Sequence, residues 1–304
     1  MLRSDMERYI QLRQSAGFKL ANESLMLRSF IAAAERHGDQ HIRTDRVLIW
    51  AGQAPSSAQR YRRLNVVRHF AQALQAEDDR HQVPPRTAFG NARHRRPPPY
   101  IFSQDEVAKL IEAAGRLKPT GSIRPMMFAT LFGLLAATGL RISEALRLRL
   151  QDISADGLMI LETKFNKSRL VPLHDTAHAA LERYLEARAR TATSTDALFV
   201  GVNGKAPGYD GVKDVFDRLV AAMGLQQARN GGLPHIHDLR HTLAVCSLER
   251  FRGNRNAISR HMTALSTYLG HTNVTGTYWY LEATPVLLGQ IAEAAETLHR
   301  EQDL

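Results

Sequence analysis

The alternation of apolar and polar positions predicts four helices in residues 1–77 and a different kind of domain after residue 100. The first three helices are expected over Asp5–Ser15, Asn22–Arg36 and Thr44–Ala51. The fourth begins at a cap supplied by Ser56 or Ser57 and carries Tyr61, Leu64, Val67, Ala71 and Leu74 on one stripe. That spacing stacks side chains on one face of a helix. The period then stops. Residues 78–99 contain five prolines, and Pro97–Pro99 favours an extended path that cannot continue a helix. A domain boundary is expected there.

Beyond it, Ser103 and Glu106 have capping-box spacing and open a helix through Ala114. An almost wholly apolar run predicts a buried helix over Arg124–Thr138. Gly157–Lys164 and Ser168–Leu173 are rich in Leu, Ile and Val around a Phe165–Asn166 turn, the pattern of a hairpin. Helices are expected again over Thr176–Arg188, Val212–Met223 and Thr242–Arg252, and from Pro285, where Leu287, Ile291, Ala295 and Leu298 share a face. The fold class is therefore mainly α with a small antiparallel β element (α+β). Its expected parts are a helical domain (1–77), a basic linker (78–99), a mixed α/β domain (100–284) and a C-terminal helix (285–304).

Composition changes this picture in one respect, the charge. Forty Lys and Arg against thirty Asp and Glu leave a formal +10 on 304 residues. Each cation that neutralises a phosphate releases condensed counterions, so such a balance favours nucleic acid. Arg60, Arg62, Arg63 and Arg68 lie off the apolar stripe of the fourth helix, and Arg93, Arg95 and Arg96 cluster in the linker. Both groups are candidate DNA contacts, although a solvated basic face is the ordinary alternative. The single cysteine, Cys246, allows no intramolecular disulfide and sits in an apolar stretch that fits a core. The N-terminal MLRSDMERYI has no apolar run of signal-peptide type, and Met126–Ala137 is too short to span a bilayer. A cytoplasmic protein with no membrane partner is expected.

Four motifs carry candidate chemistry. ATGLRISEAL (137–146) places Arg141 just after the glycine ending the buried helix, with Glu144 close enough to pair with it. TKFNKSRLVPL (163–173) sets Lys164 and Lys167 in a hairpin turn. HIHDLRHTLA (235–244) holds His237 and Arg240 three apart, on one face of a helix. Its three histidines also suggest zinc, but nothing beyond Asp238 completes a tetrahedral set. STYLGHTNVTGTYWYLEAT (266–284) puts Gly270 where a helix C-cap belongs, His271 at a turn, and Tyr278 and Tyr280 around Trp279. Each motif alone has an ordinary reading: an ion pair, a solvated turn, a chance HxxR, an aromatic patch.

In order, Arg, Lys, His-x-x-Arg, Leu-Gly-His and Tyr resemble the catalytic pattern of the tyrosine recombinase, or phage integrase, family over roughly residues 100–284. The helical module resembles that family's SAM-like core-binding domain. The resemblance implies Arg141, Lys164, His237, Arg240 and His271 around a scissile phosphate and Tyr280 as nucleophile, with Lys167 and Tyr278 as the competing assignments. Phe165 stands where relatives often have glycine. The implied partners are double-stranded DNA and further copies of the chain, a monomer in solution forming a tetramer on two DNA sites.

Two arginines would neutralise the phosphoryl oxygens without a metal, His271 would add a donor, His237 would accept or orient the tyrosine proton, and Lys164 would protonate the leaving 5′ oxygen. The covalent phosphotyrosine conserves the bond energy, so no cofactor is expected. No phosphate-binding Gly-rich loop or two-metal acidic triad occurs in the sequence. The absence of a further DNA-binding domain before the helical module points to a transposon- or integron-like mobile element. A type IB topoisomerase and a catalytically silent DNA-binding protein on the same fold are the rival readings.

Overall fold

The computed structural model describes residues 2–90, 99–161, 168–226, 232–250 and 255–270, together with Tyr280. The chain forms two compact units, Met1–Arg96 and Pro97–Leu304. The described residues are mainly helical with one small antiparallel sheet, as the sequence pattern predicts.

In the first unit, α1 (Leu2–Ser15), α2 (Ala21–Arg36), α3 (Thr44–Gly52) and α4 (Ser57–Gln75) surround a core that includes Phe30, Leu64, Val67 and Phe70. The choice between the two cap serines is settled by geometry. Ser56 Oγ accepts from Gln59 N at 3.2 Å, which satisfies one of the helix's orphan donors.

Residues 81–89, which their prolines place in the linker, lie against this unit instead. Val83, Ala88 and Phe89 pack on its core, Gln82 N donates to Ile42 O at 2.8 Å, and buried His81 accepts from Ile42 N through Nδ1 at 3.1 Å. Prolines exclude a helix but do not prevent docking by neighbouring side chains, and these contacts hold the segment in place.

Burial, and then the neighbouring His41, lowers the His81 pKa, against the opposing pull of Asp78 and Asp5. The folded ring therefore binds its proton less readily than the unfolded one, which titrates near ~6.5. Stability tied to this bond is present above that value and lost as pH falls through the folded pKa. Protection of the Ile42 amide in the full chain, corrected for intrinsic exchange, should decline from pH 7 to pH 5. Constant protection over that range would show that His81 is not the acceptor.

In the second unit the capping box forms as its spacing implies. Ser103 Oγ accepts from Glu106 N at 3.1 Å and Ser103 N donates to Glu106 Oε2 at 2.7 Å, opening α5 (Gln104–Gly115). The apolar run becomes α6 (Ile123–Thr138), followed by the short α7 (Ile142–Ala145). Strands β1 (Ile153–Ser154), β2 (Gly157–Ile160) and β3 (Arg169–Val171) form an antiparallel sheet in that order, with Leu158 opposite Val171 and Ile160 opposite Arg169. The sheet has one strand more than the predicted hairpin.

Then come α8 (Asp175–Ala189), α9 (Tyr209–Ala222), α10 (Asp238–Arg250) and α11 (Arg255–Leu269). Phe132 and Phe216 meet edge-on at 5.5 Å in the main core. A smaller cluster of Val245, Leu248, Met262, Leu265 and Leu269 surrounds Tyr280. α10 begins four residues earlier than the apolar pattern suggests, because Asp238 accepts from His235 N at 2.7 Å and so supports the helix start. The helix expected from Pro285 lies outside the described residues. No described helix is long and apolar enough to cross a membrane.

Candidate active site

The site is built from helix ends. α6 stops at Gly139, which adopts the left-handed conformation (φ 61°). A Cβ there would stand 2.7 Å from Leu243 Cδ2, so both conformation and space call for glycine. The turn delivers Arg141 to the start of α7. Glu144 reaches back to it, accepting from Arg141 N at 3.0 Å and from Nη1 at 2.7 Å. Arg141 Nη2 donates to Gly270 O at 2.9 Å. The local ion pair and the reach to a distant motif thus both occur, on one guanidinium fork.

Arg240 stands in the first turn of α10, and the carbonyl of His237 accepts from its backbone N at 3.1 Å. The Arg240 side chain is among the most deeply buried in the chain. Its Nη1 donates to Gly139 O at 2.7 Å and its Nη2 to Leu269 O at 2.5 Å. Both carbonyls lie at helix C-termini, where intrahelical donors are missing and the partial charge is negative. That setting lets the interior hold a cation. Burial, and then repulsion from Arg141, lowers its pKa to about 10, which leaves it charged at neutral pH.

Arg141 and Arg240 therefore grip one turn, Leu269–Gly270, directly before His271. Gly270 is again left-handed (φ 67°), and a Cβ on it would meet Arg169 Nη1 at 2.9 Å. His271 itself, Lys164, Lys167 and Tyr278 lie outside the described residues.

Sequence reasoning missed Arg169. From β3 its Nη2 donates to Glu144 Oε2 at 2.8 Å and its Nη1 to Oε1 at 3.3 Å. Burial alone would raise the pKa of Glu144. Hydrogen bonds and charge from Arg169, together with the hydrogen bonds from Arg141, outweigh it and hold the carboxyl down at about 2. The only sequence signal was an arginine in an apolar strand, too common to single out.

Tyr280 is buried, and its hydroxyl lies 2.9 Å from Nδ1 of His241. The His237 ring meets the His241 ring edge-on at 4.6 Å. His241, four residues after the predicted His237, is thus the imidazole that meets the tyrosine hydroxyl, a role that sequence reasoning left unassigned. Tyr280 packs in the same apolar cluster as Leu269, whose carbonyl accepts from Arg240. The structure brings Arg141, Arg240, His237 and Tyr280 into one region of the second unit. No group of three or more His, Cys, Asp or Glu side chains suited to a metal gathers among the described residues.

The basic residues of α4 are not one solvated face. Arg63 Nη1 donates to Trp50 O in the last turn of α3 at 3.2 Å, while Arg60, which is exposed, donates through Nε to Ala54 O just beyond that helix at 2.9 Å. Arg63 also lies over the Trp50 ring, 5.0 Å from its centroid. Arg62 is exposed, with Glu23 at 3.9 Å, and Arg68 is half-buried. Arg93, Arg95 and Arg96 lie outside the described residues.

Comparison with known proteins identifies the family and the fold. The phage integrase family model matches residues 101–285. The integrase/recombinase y4rB of Sinorhizobium fredii is 36% identical over 97% of this chain and 96% of its own length. The tyrosine recombinase XerD of Staphylococcus epidermidis is 28% identical over 83% of this chain and 79% of its own. Among solved structures, the Tn1549 transposon integrase in complex with transposon right end DNA shares the fold (TM-score 0.67, 16% identity, 99% of each chain). So does a lambda integrase dimer bound to a COC′ core site (TM-score 0.66, 19% identity, 92% of this chain and 77% of that one). The chain belongs to the phage integrase family and is a tyrosine-type site-specific recombinase.

Proposed function

We propose that Arg141 and Arg240 hold a scissile phosphodiester of double-stranded DNA while Tyr280 attacks its phosphorus. The observation that carries this reading is the closure of two distant arginines on the Leu269–Gly270 turn, with Tyr280 in the same apolar cluster as Leu269. In the first step the bond from Tyr280 Oη to phosphorus forms and the bond from phosphorus to the 5′ oxygen breaks. The products are a 3′-phosphotyrosyl enzyme and a free 5′ hydroxyl.

Negative charge grows on the non-bridging oxygens as this happens, and forked guanidinium donors offset it where water is excluded. The phenol proton passes to an imidazole. His241 is already in hydrogen-bond reach of the hydroxyl and joins His237 as the acceptor or orienter. Lys164 supplies the proton to the leaving 5′ oxygen, and His271, which follows the clamped turn, adds a donor to the phosphate. A 5′ hydroxyl from the partner strand then reverses the step. No nucleotide is consumed, because the phosphotyrosyl bond keeps the energy of the bond that was cut.

The net charge of +10 supports a polyanionic partner. The helical unit, through exposed Arg62, and the basic linker would supply further phosphate contacts. Exchange between two sites needs four active tyrosines, so a monomer in solution and a tetramer on DNA is the working arrangement. Work on DNA supports a cytoplasmic location. The likeness to a transposon integrase supports service to a mobile element.

To test this, duplexes selected by the purified chain from a random library would be nicked next to the cleavage point so that religation fails. A covalent adduct should accumulate without added metal or nucleotide, and peptide mapping should locate the DNA on Tyr280. No adduct on any selected duplex, or DNA mapped to Tyr278, would overturn the assignment.

A further inference from the structure

Beyond the residues that touch the phosphate, we propose that Arg169 is a positioning residue: it shares Glu144 with Arg141 and so leaves the charge of Arg141 available to the phosphate. This rests on the phosphate-pocket reading above.

Glu144 is almost completely buried, and its carboxylate serves two arginines from different elements. With Arg141 as its sole partner, the pair would be neutral, and the pocket would keep the charge of Arg240 alone. Arg169 changes that balance. Three cations, Arg141, Arg169 and Arg240, then stand around one carboxylate, which leaves two net positive charges. A phosphodiester carries one negative charge, and its pentacovalent state develops a second.

The geometry fits a fixed support rather than a wandering surface side chain. Arg169 Nη1 donates to Glu144 Oε1 at 3.3 Å and Nη2 to Oε2 at 2.8 Å, and such forks hold orientation as well as charge. The Arg169 backbone is pinned opposite Ile160 in the sheet. Its guanidinium also lies against Gly270, whose carbonyl takes the other arm of Arg141. Arg169 thus reaches Arg141 by two routes, one through the carboxylate and one through the clamped turn. Partners that orient metal ligands change activity by about 10–100-fold without touching substrate, and the same order is expected of a residue that orients a phosphate-binding arginine.

Single-turnover cleavage and DNA affinity would be measured for Arg169→Met, Arg169→Lys and Arg169→Met combined with Glu144→Gln. The methionine variant should slow cleavage about 10–100-fold. Its DNA affinity should change by less than about 3-fold, as expected for a group remote from the bulk of the contacts. Lysine should retain more activity than methionine. Glu144→Gln should recover at least about 3-fold in the methionine background, because the unbalanced charge is then removed.

A merely structural arginine predicts that the double variant is slower still, and that result, or parental cleavage by Arg169→Met, overturns the proposal. Where Arg169→Met does not fold, the uncharged Arg169→Gln with and without Glu144→Gln carries the same comparison. An adduct with the parent chain but no deficit in the variants sinks this inference alone. No adduct with the parent sinks the phosphate-pocket reading and this one with it.

Discussion

Tyr280→Phe should abolish the covalent protein–DNA adduct while leaving fold and DNA binding in place. The ring sits in a small apolar cluster with Val245, Leu248, Met262, Leu265 and Leu269, and phenylalanine keeps all of that packing. What is lost is the hydroxyl and its hydrogen bond to His241 Nδ1. A neutral hydrogen bond of this type is worth about 1 kcal/mol net, so the melting temperature should move only slightly. Chemistry, by contrast, loses its nucleophile, and no other group can form the phosphotyrosyl bond at that position. Denaturing gels of the trapped complex on nicked DNA would read the result, with Tyr278→Phe beside it as control. Persistence of the adduct in Tyr280→Phe, or its loss in Tyr278→Phe alone, would move the nucleophile two residues upstream.

The second large effect is expected at Arg240. Arg240→Gln should reduce cleavage by about 10²–10³-fold or more, the scale on which a transition-state donor is felt. Stability should fall too, for an identifiable reason. The guanidinium joins Gly139 O at the end of α6 to Leu269 O at the end of α11, and a shorter amide cannot span both. Each buried carbonyl left without a donor costs about 1–3 kcal/mol. Arg240→Lys separates the two roles: it retains the charge but not the fork, so it should cleave poorly while melting nearer the parent than Arg240→Gln does. Single-turnover cleavage measured well below each variant's melting temperature would keep the two effects apart. Parental cleavage by a folded Arg240→Gln chain would remove this residue from the active site.

Much of this architecture is local, and so it was legible before any coordinates. The Ser103–Glu106 capping box, the apolar run of α6, the glycine stop at Gly139 and the stripe on α4 depend on neighbours within one or two helical turns. The order of the motifs marked the family for the same reason: each is a short segment whose residue types are set by its own chemistry. Where local rules were incomplete, the reading slipped in identifiable ways. Prolines placed residues 81–89 in a linker, but the buried His81 ring and backbone pairing to Ile42 dock them on the helical unit. Charge counting along α4 says nothing of the carbonyls that engage these arginines: half-buried Arg63 donates to Trp50 O in α3, and Arg60, though exposed, to Ala54 O just beyond it.

What the sequence by itself determined, then, is most of the element order and the family, and it singled out the arginines, histidines and tyrosine to which the chemistry is proposed to belong. Only the tertiary structure decided how those groups are wired. Arg141 meets Gly270 across 129 residues, Tyr280 meets His241 across 39, and Arg169 meets Glu144 across 25. Contacts over such separations are set by how helix ends and a strand pack against one another, not by any local period. The burial that makes them strong, and that holds Glu144 ionised between two guanidinium groups, exists only once those elements have come together.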